Sequence, residues 1–174
     1  MRKISAYEIA LSALACALAT IFLTVGVYVD VLLFTAYLLA GIALMLPLSK
    51  RFYLGYALAY VAACLLSLLF VGWKIWDVLP FIVFFGLHPL VNELQLKIKI
   101  NRWLACALKG LWFDGMLLLV WFFIAEMSLA ISLPLPWIIV IIIVGGSGVF
   151  ILYDYVMYKW RGIVNVLVAK VSKK

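Results

Sequence analysis

Apolar residues fill this chain in six long stretches, and its polar residues gather in the short breaks between them. The stretches run over Tyr7–Val25, Val31–Leu48, Phe52–Val71, Trp76–Leu94, Trp103–Ala125 and Pro136–Tyr158. Each holds about 18–23 residues, enough at about 1.5 Å per residue to cross a hydrocarbon core of about 30 Å. Inside lipid every backbone polar group must be paired within its own element, so a spanning segment is a helix or part of a closed barrel. Barrel strands alternate strictly between apolar and polar residues, and runs such as Leu65–Val71 and Pro136–Val144 do not. The pattern therefore predicts an all-α integral membrane protein, a bundle of six transmembrane helices.

The charges in the breaks predict how such a bundle sits. The breaks after the second and fourth stretches carry Lys50 and Arg51, and Lys97, Lys99 and Arg102. Arg2 and Lys3 precede the first stretch, and Lys159, Arg161, Lys170, Lys173 and Lys174 follow the last. The remaining breaks, around Gly26–Asp30, Lys74–Asp77 and Pro134, hold one basic residue between them, Lys74. Of the 14 Lys and Arg, Lys109 alone lies well inside a stretch. Positive charge stays on the cytoplasmic side of a bilayer, so both termini are predicted to be cytoplasmic.

Composition agrees. The chain has 174 residues, 70% of them hydrophobic and 12% charged, with a mean hydropathy of +1.26. A soluble domain could not hide so much apolar surface. No polar linker is long enough to separate two domains, so residues 1–174 are expected to form one. The net charge of +7 is then an orientation signal and an attraction to anionic lipid head groups, with no nucleic-acid partner implied. The basic tail at about 160–174 reads either as a short segment resting on the inner membrane surface or as a frayed terminus. Cys16, Cys64 and Cys106 lie in apolar stretches without metal-ligand spacing. Ala13-Leu14-Ala15-Cys16 superficially matches a lipoprotein processing site, but the apolar run continues past it to Val25. His88 is the only histidine, and neither a phosphate-binding loop nor a nucleophile–base pair is present. No enzymatic activity, metal or cofactor is expected.

Ionisable residues inside spans are costly and usually face the bundle interior or a water-filled cavity. Asp114 lies about 18 Å along the fifth helix from Arg102, and Lys109 lies about 10 Å along it, shallow enough to snorkel. Their separation of five residues puts them about 140° apart around the helix, so Asp114 needs a partner on another span. That partner is either a Ser, Tyr or Trp pinning helices together, or a ligand or ion. In the fourth span Pro89 removes a backbone donor and bends the helix, and His88 could either donate to the carbonyl it frees or contact a substrate. Asn92 and Glu93 follow at a solvated end.

Towards the opposite side, Trp76 and Asp77 open the fourth span, with Trp73 and Lys74 just before them. Trp121 and Glu126 lie near the end of the fifth span, and Tyr28 and Asp30 in the first break. The aromatics suit an interfacial belt. Together with the acids they would also suit a pocket for a small, flat, amphipathic molecule, a cationic one included. The candidate ligand-binding residues are Trp76, Asp77, Asp114, Trp121 and Glu126. In the first span Ala6, Ala10, Ala13 and Ala17 share one helix face, and Ala13-x-x-x-Ala17 and Ala15-x-x-x-Ala19 are small-xxx-small pairs that let another helix approach closely. That packing is either internal or with a separate subunit.

Six spans, inward termini and a basic amino terminus leading into an alanine-rich first span resemble the substrate-binding S component of energy-coupling factor (ECF) vitamin transporters. The stretch Phe84-Phe85-Gly86-Leu87-His88-Pro89-Leu90 is similar to the fourth span of small S-component-like proteins of Gram-positive bacteria. The resemblance implies a multi-pass protein of the bacterial cell membrane that captures a vitamin-like molecule outside. It implies docking through Ala10, Ala13 and Ala17 onto a shared transmembrane coupling subunit, with two ATPase subunits driving release inside. The rival reading is a non-transport scaffold resembling the rod-shape protein MreD.

Overall fold

The structure, a computed structural model, describes residues 4–122 and 134–172, and among these residues every regular element is helical. Helix α1 spans Ala6–Tyr28, a 3-10 turn spans Asp30–Leu32, and α2 and α3 span Leu33–Leu48 and Tyr53–Val71. A 3-10 segment Gly72–Val78 and a π segment Phe81–Phe85 lead to α4, His88–Ile98. Helix α5 spans Arg102–Val120 and α6 spans Leu135–Val171. Two compact units divide the chain, Met1–Leu94 with Met157–Lys174, and Gln95–Val156.

In the first unit α1 packs against both α2 and α3. Its start is fixed by a capping box: Ser5 Oγ accepts from the Glu8 backbone N–H at 3.2 Å, and Glu8 Oε2 accepts from the Ser5 backbone N–H at 3.0 Å. Glu8, 5% exposed, thus supplies acceptors to the helix end. Near the other end, a Cβ on Gly26 would collide with the Cβ of Ala36, so only glycine lets α1 and α2 approach there. Gly72 ends α3 with a φ of +58°, which side chains rarely tolerate.

Among the described residues, five helical stretches are long and apolar enough to cross a membrane: Ala6–Tyr28, Asp30–Leu48, Tyr53–Val78, Arg102–Val120 and Pro136–Val171. The stretch Trp76–Leu94, expected as a single fourth span, is not one continuous α-helix. Pro80 and Pro89 each lack a backbone N–H, so each leaves a carbonyl about one turn earlier without its helical donor. The chain answers with 3-10, π and turn geometry between Gly72 and Leu87. Tyrosines from the neighbouring helices donate to other carbonyls of this irregular segment. Tyr37 on α2 donates to the Asp77 carbonyl, and on α3 Tyr56 donates to the Gly86 carbonyl and Tyr60 to that of Ile82 at 2.6 Å. Tyr56 and Tyr60 are four residues apart and so share one face of α3.

The sixth stretch also differs from expectation. Helix α6 does not stop at Tyr158; its 37 residues continue to Val171, about 55 Å of helix. Its carboxy-terminal turns belong to the first unit and bury Val164 and Val168. Tyr7 Oη donates to the Val168 carbonyl at 3.4 Å, and Lys50 Nζ lies 3.0 Å from Ser172 Oγ. The segment after Gly162 is therefore the end of a packed helix.

Replacing Tyr56 by Phe removes the donor from a carbonyl in a fully buried position. A loss of about 1–3 kcal/mol is expected, read as a lower unfolding temperature in detergent. Tyr60→Phe, at a half-buried position, is expected to cost less.

Candidate functional site

Helix α1 turns its two sets of small residues to different surroundings. Ala15 and Ala19 are fully buried, in line with Leu11 and Leu23. Ala6, Ala10, Ala13 and Ala17 are all exposed. The second small-xxx-small pair is thus spent inside the unit, while the first remains on its surface.

At the end of the same unit where α1 meets the 3-10 turn, Lys74 Nζ donates to the Val27 carbonyl at 3.0 Å and pairs with Asp30 Oδ1 at 3.0 Å. Both partners are largely exposed, so the pair contributes at most about 1 kcal/mol. Tyr28 Oη donates to the Phe70 carbonyl at 2.9 Å. Val27, Val71 and Val78 form a small core beneath these polar contacts. Trp76 and Asp77 sit on the 3-10 segment beside Lys74, Trp76 being exposed and Asp77 half-buried. His88 is fully buried, its ring centroid 5.3 Å from that of Phe84 and its Nδ1 3.4 Å from Asn92 Nδ2.

The second unit joins α5 to the first part of α6. Asn101 caps α5, its Oδ1 accepting from the Trp103 backbone N–H at 2.9 Å. Lys109 meets Asp154 at 2.6 Å, Phe113 meets Phe150 with ring centroids 5.9 Å apart, and Asp114 Oδ2 accepts from Ser147 Oγ at 3.1 Å. Residue numbers rise on one helix as they fall on the other, so the pair is antiparallel. A Cβ on Gly146 would lie 2.6 Å from Asp114 Oδ1 and 2.8 Å from a Leu117 methyl, so a larger residue at this crossing would have to displace both side chains. Asp114 Oδ1 is buried and has no hydrogen-bond partner among the described residues.

Two expectations change here. Lys109 is 5% exposed and bound to Asp154; it does not snorkel, because a carboxylate lies within reach on the adjacent helix. Glu93 is not held by solvent alone: its Oε2 accepts from Arg161 Nε at 2.7 Å. For Asp114, the expected interhelical partner is the Ser147 hydroxyl.

The five candidate ligand residues are distributed as follows. Trp76 and Asp77 belong to the first unit, Asp114 and Trp121 to the second, and Glu126 lies outside the described residues. Asp154 and Ser147 went unremarked in the sequence, although an acid in the run Val149–Met157 is the same signal that singled out Asp114. Gly145-Gly146-Ser147-Gly148 likewise carried a small-residue signal for close helix approach. No protein-family model, curated protein or solved structure matches the chain.

Lys109→Met leaves Asp154 without its ammonium partner and is expected to destabilise the protein by about 3 kcal/mol. Adding Asp154→Leu should restore most of that loss. A thermal double-mutant cycle in detergent measures the coupling, and additive effects would mean that the pair contributes no interaction energy.

Proposed function

We propose that the protein is the substrate-binding membrane subunit of an ECF-type importer, taking a vitamin-like small molecule from outside the bacterial cell. The observation that carries this reading is the outward alanine face of α1. Ala10, Ala13 and Ala17 are exposed on a helix whose other small-residue pair, Ala15 and Ala19, is buried. A small-residue face without internal cover allows the backbone of a separate helix to come close, the packing that drives association in lipid. In this reading the face receives the transmembrane coupling subunit, and two ATPase subunits complete the transporter.

The topology belongs to the same proposal. Residues 79–98, at about 1.5 Å per residue, supply a sixth crossing of about 30 Å despite their irregular geometry. Irregular backbone at membrane depth is tolerated where protein buries it or where it lines a cavity, and interrupted helices recur at transporter binding sites. With six crossings, the alternation of Lys and Arg puts both termini in the cytoplasm. Trp76, Asp77, Asp114, Trp121 and Glu126 are the proposed ligand contacts, their aromatic and acidic character suited to a flat amphipathic molecule. Asp114 contributes a carboxylate oxygen not committed to Ser147. The subunit performs no chemistry; it binds, tilts with its coupling partner and releases.

Ala13→Trp with Ala17→Trp is expected to abolish co-purification with the coupling and ATPase subunits while leaving small-molecule binding unchanged. Normal assembly in that variant would remove the docking role. Recovery of cell-envelope proteins in place of transporter subunits would favour the scaffold reading.

A further inference from the structure

The end of the first unit opposite Lys74 and Asp30 holds a cleft that the transport reading does not use. It is a shallow cleft, open to the surroundings, between the end of α2, α4 and the carboxy-terminal turns of α6. Ser49, Asn92, Glu93, Arg161 and Asn165 supply its polar groups, and methionine, leucine and proline side chains supply its walls.

Charge in the cleft is arranged asymmetrically. Glu93 Oε2 accepts from Arg161 Nε at 2.7 Å, a bond that fixes the guanidinium plane and uses only its inner edge. The two terminal nitrogens have no partner among the described residues. The Arg161 side chain is 31% exposed and that of Glu93 13%, so the pair turns its positive member outward. Asn165 lies four residues beyond Arg161 on α6 and therefore on the same helix face. The acids of this unit do not offset the charge: Glu8 is buried in its capping box, Glu93 is paired, and Asp30 and Asp77 lie at the other end. Lys50, Arg51, Lys159 and Lys170 belong to the same unit.

We propose that this cleft binds a phosphate group, that of an anionic phospholipid, through the terminal nitrogens of Arg161 and the side-chain amide of Asn165. A guanidinium held by a carboxylate on one edge presents a planar pair of donors that matches two phosphate oxygens. The apolar walls, and the exposed Tyr158 three residues before Arg161 on α6 and so on the same helix face, suit the glycerol and acyl part of a lipid. The assignment does not depend on the identity of any transported substrate.

The test uses the full chain purified in detergent, titrated separately with phosphatidylglycerol, with diacylglycerol of the same acyl chains, and with inorganic phosphate. Retained lipid is read by native mass spectrometry, and each ligand's effect on the unfolding temperature is recorded. Phosphatidylglycerol is expected to bind about tenfold tighter than diacylglycerol. The double variant Glu93→Gln with Arg161→Gln, which keeps a neutral hydrogen-bonding pair, should lose that preference. Asn165→Leu, which leaves the ion pair intact, should weaken it, and Lys170→Gln should not. Stabilisation by inorganic phosphate that is lost in the same double variant would support the same site with a soluble phosphate as its source. Equal binding of the two lipids without any phosphate effect would overturn the proposal. So would wild-type binding in the double variant, or a loss in Lys170→Gln as large as in the cleft variants, which would indicate diffuse attraction to basic surface.

Discussion

A backbone carbonyl left without a donor in apolar surroundings costs about 1–3 kcal/mol, and in the first unit that cost falls on the stretch between α3 and α4. Pro80 and Pro89 deprive it of two N–H groups, and Gly72 ends the preceding helix. The stretch holds its 3-10 and π geometry against α2 and α3, where the hydroxyls of Tyr37, Tyr56 and Tyr60 reach the carbonyls of Asp77, Gly86 and Ile82. These bonds also fix the helices that make them. Tyr37 ties α2 to the start of the stretch, while Tyr56 and Tyr60 tie two successive turns of α3 to its middle and end. Helix α1 packs on both α2 and α3, so the outward direction of its alanine face follows from the same arrangement.

Between α5 and α6 the interactions are of another kind. Polar side chains carry the contact: an ion pair at Lys109 and Asp154 and a hydroxyl–carboxylate bond at Ser147 and Asp114. Removing two charges from water is expensive, and their mutual attraction roughly repays it. Their main effect is on register: a shift of one residue along either helix would separate both contacts at once. Gly146 permits the approach that makes them short. The two contacts lie on successive turns of α5, separated by the Phe113–Phe150 ring contact, so polar and apolar layers alternate along the helix pair.

Several of these features were legible in the sequence and several were not. The helical class, the positions of α1, α2, α3 and α5 and the need of Asp114 for an interhelical partner follow from hydropathy, helix geometry and the cost of a buried acid. The Ser5-x-x-Glu8 capping box was equally readable, because its spacing is local. The break in the fourth stretch was half-visible: Pro89 announced a bend, but proline alone does not say whether a helix kinks and continues or abandons α geometry. That choice turned on whether donors were available nearby, and those donors lie in the range 37–60, far away in sequence. The pairing of Arg161 with Glu93, 68 residues apart, was hidden for the same reason.

What the sequence determined by itself is whatever depends on one segment at a time: which stretches are helical and apolar enough to cross a membrane, where α1 is capped, where α3 must stop at Gly72. Which alanines of α1 are buried, which carboxylate holds Lys109 and which hydroxyls satisfy the broken stretch were decided only by tertiary structure. Local propensities and hydropathy act over one or two turns. A salt bridge or a tyrosine–carbonyl bond needs two distant backbones within about 3 Å of each other's polar atoms, and only the packed helices bring them there.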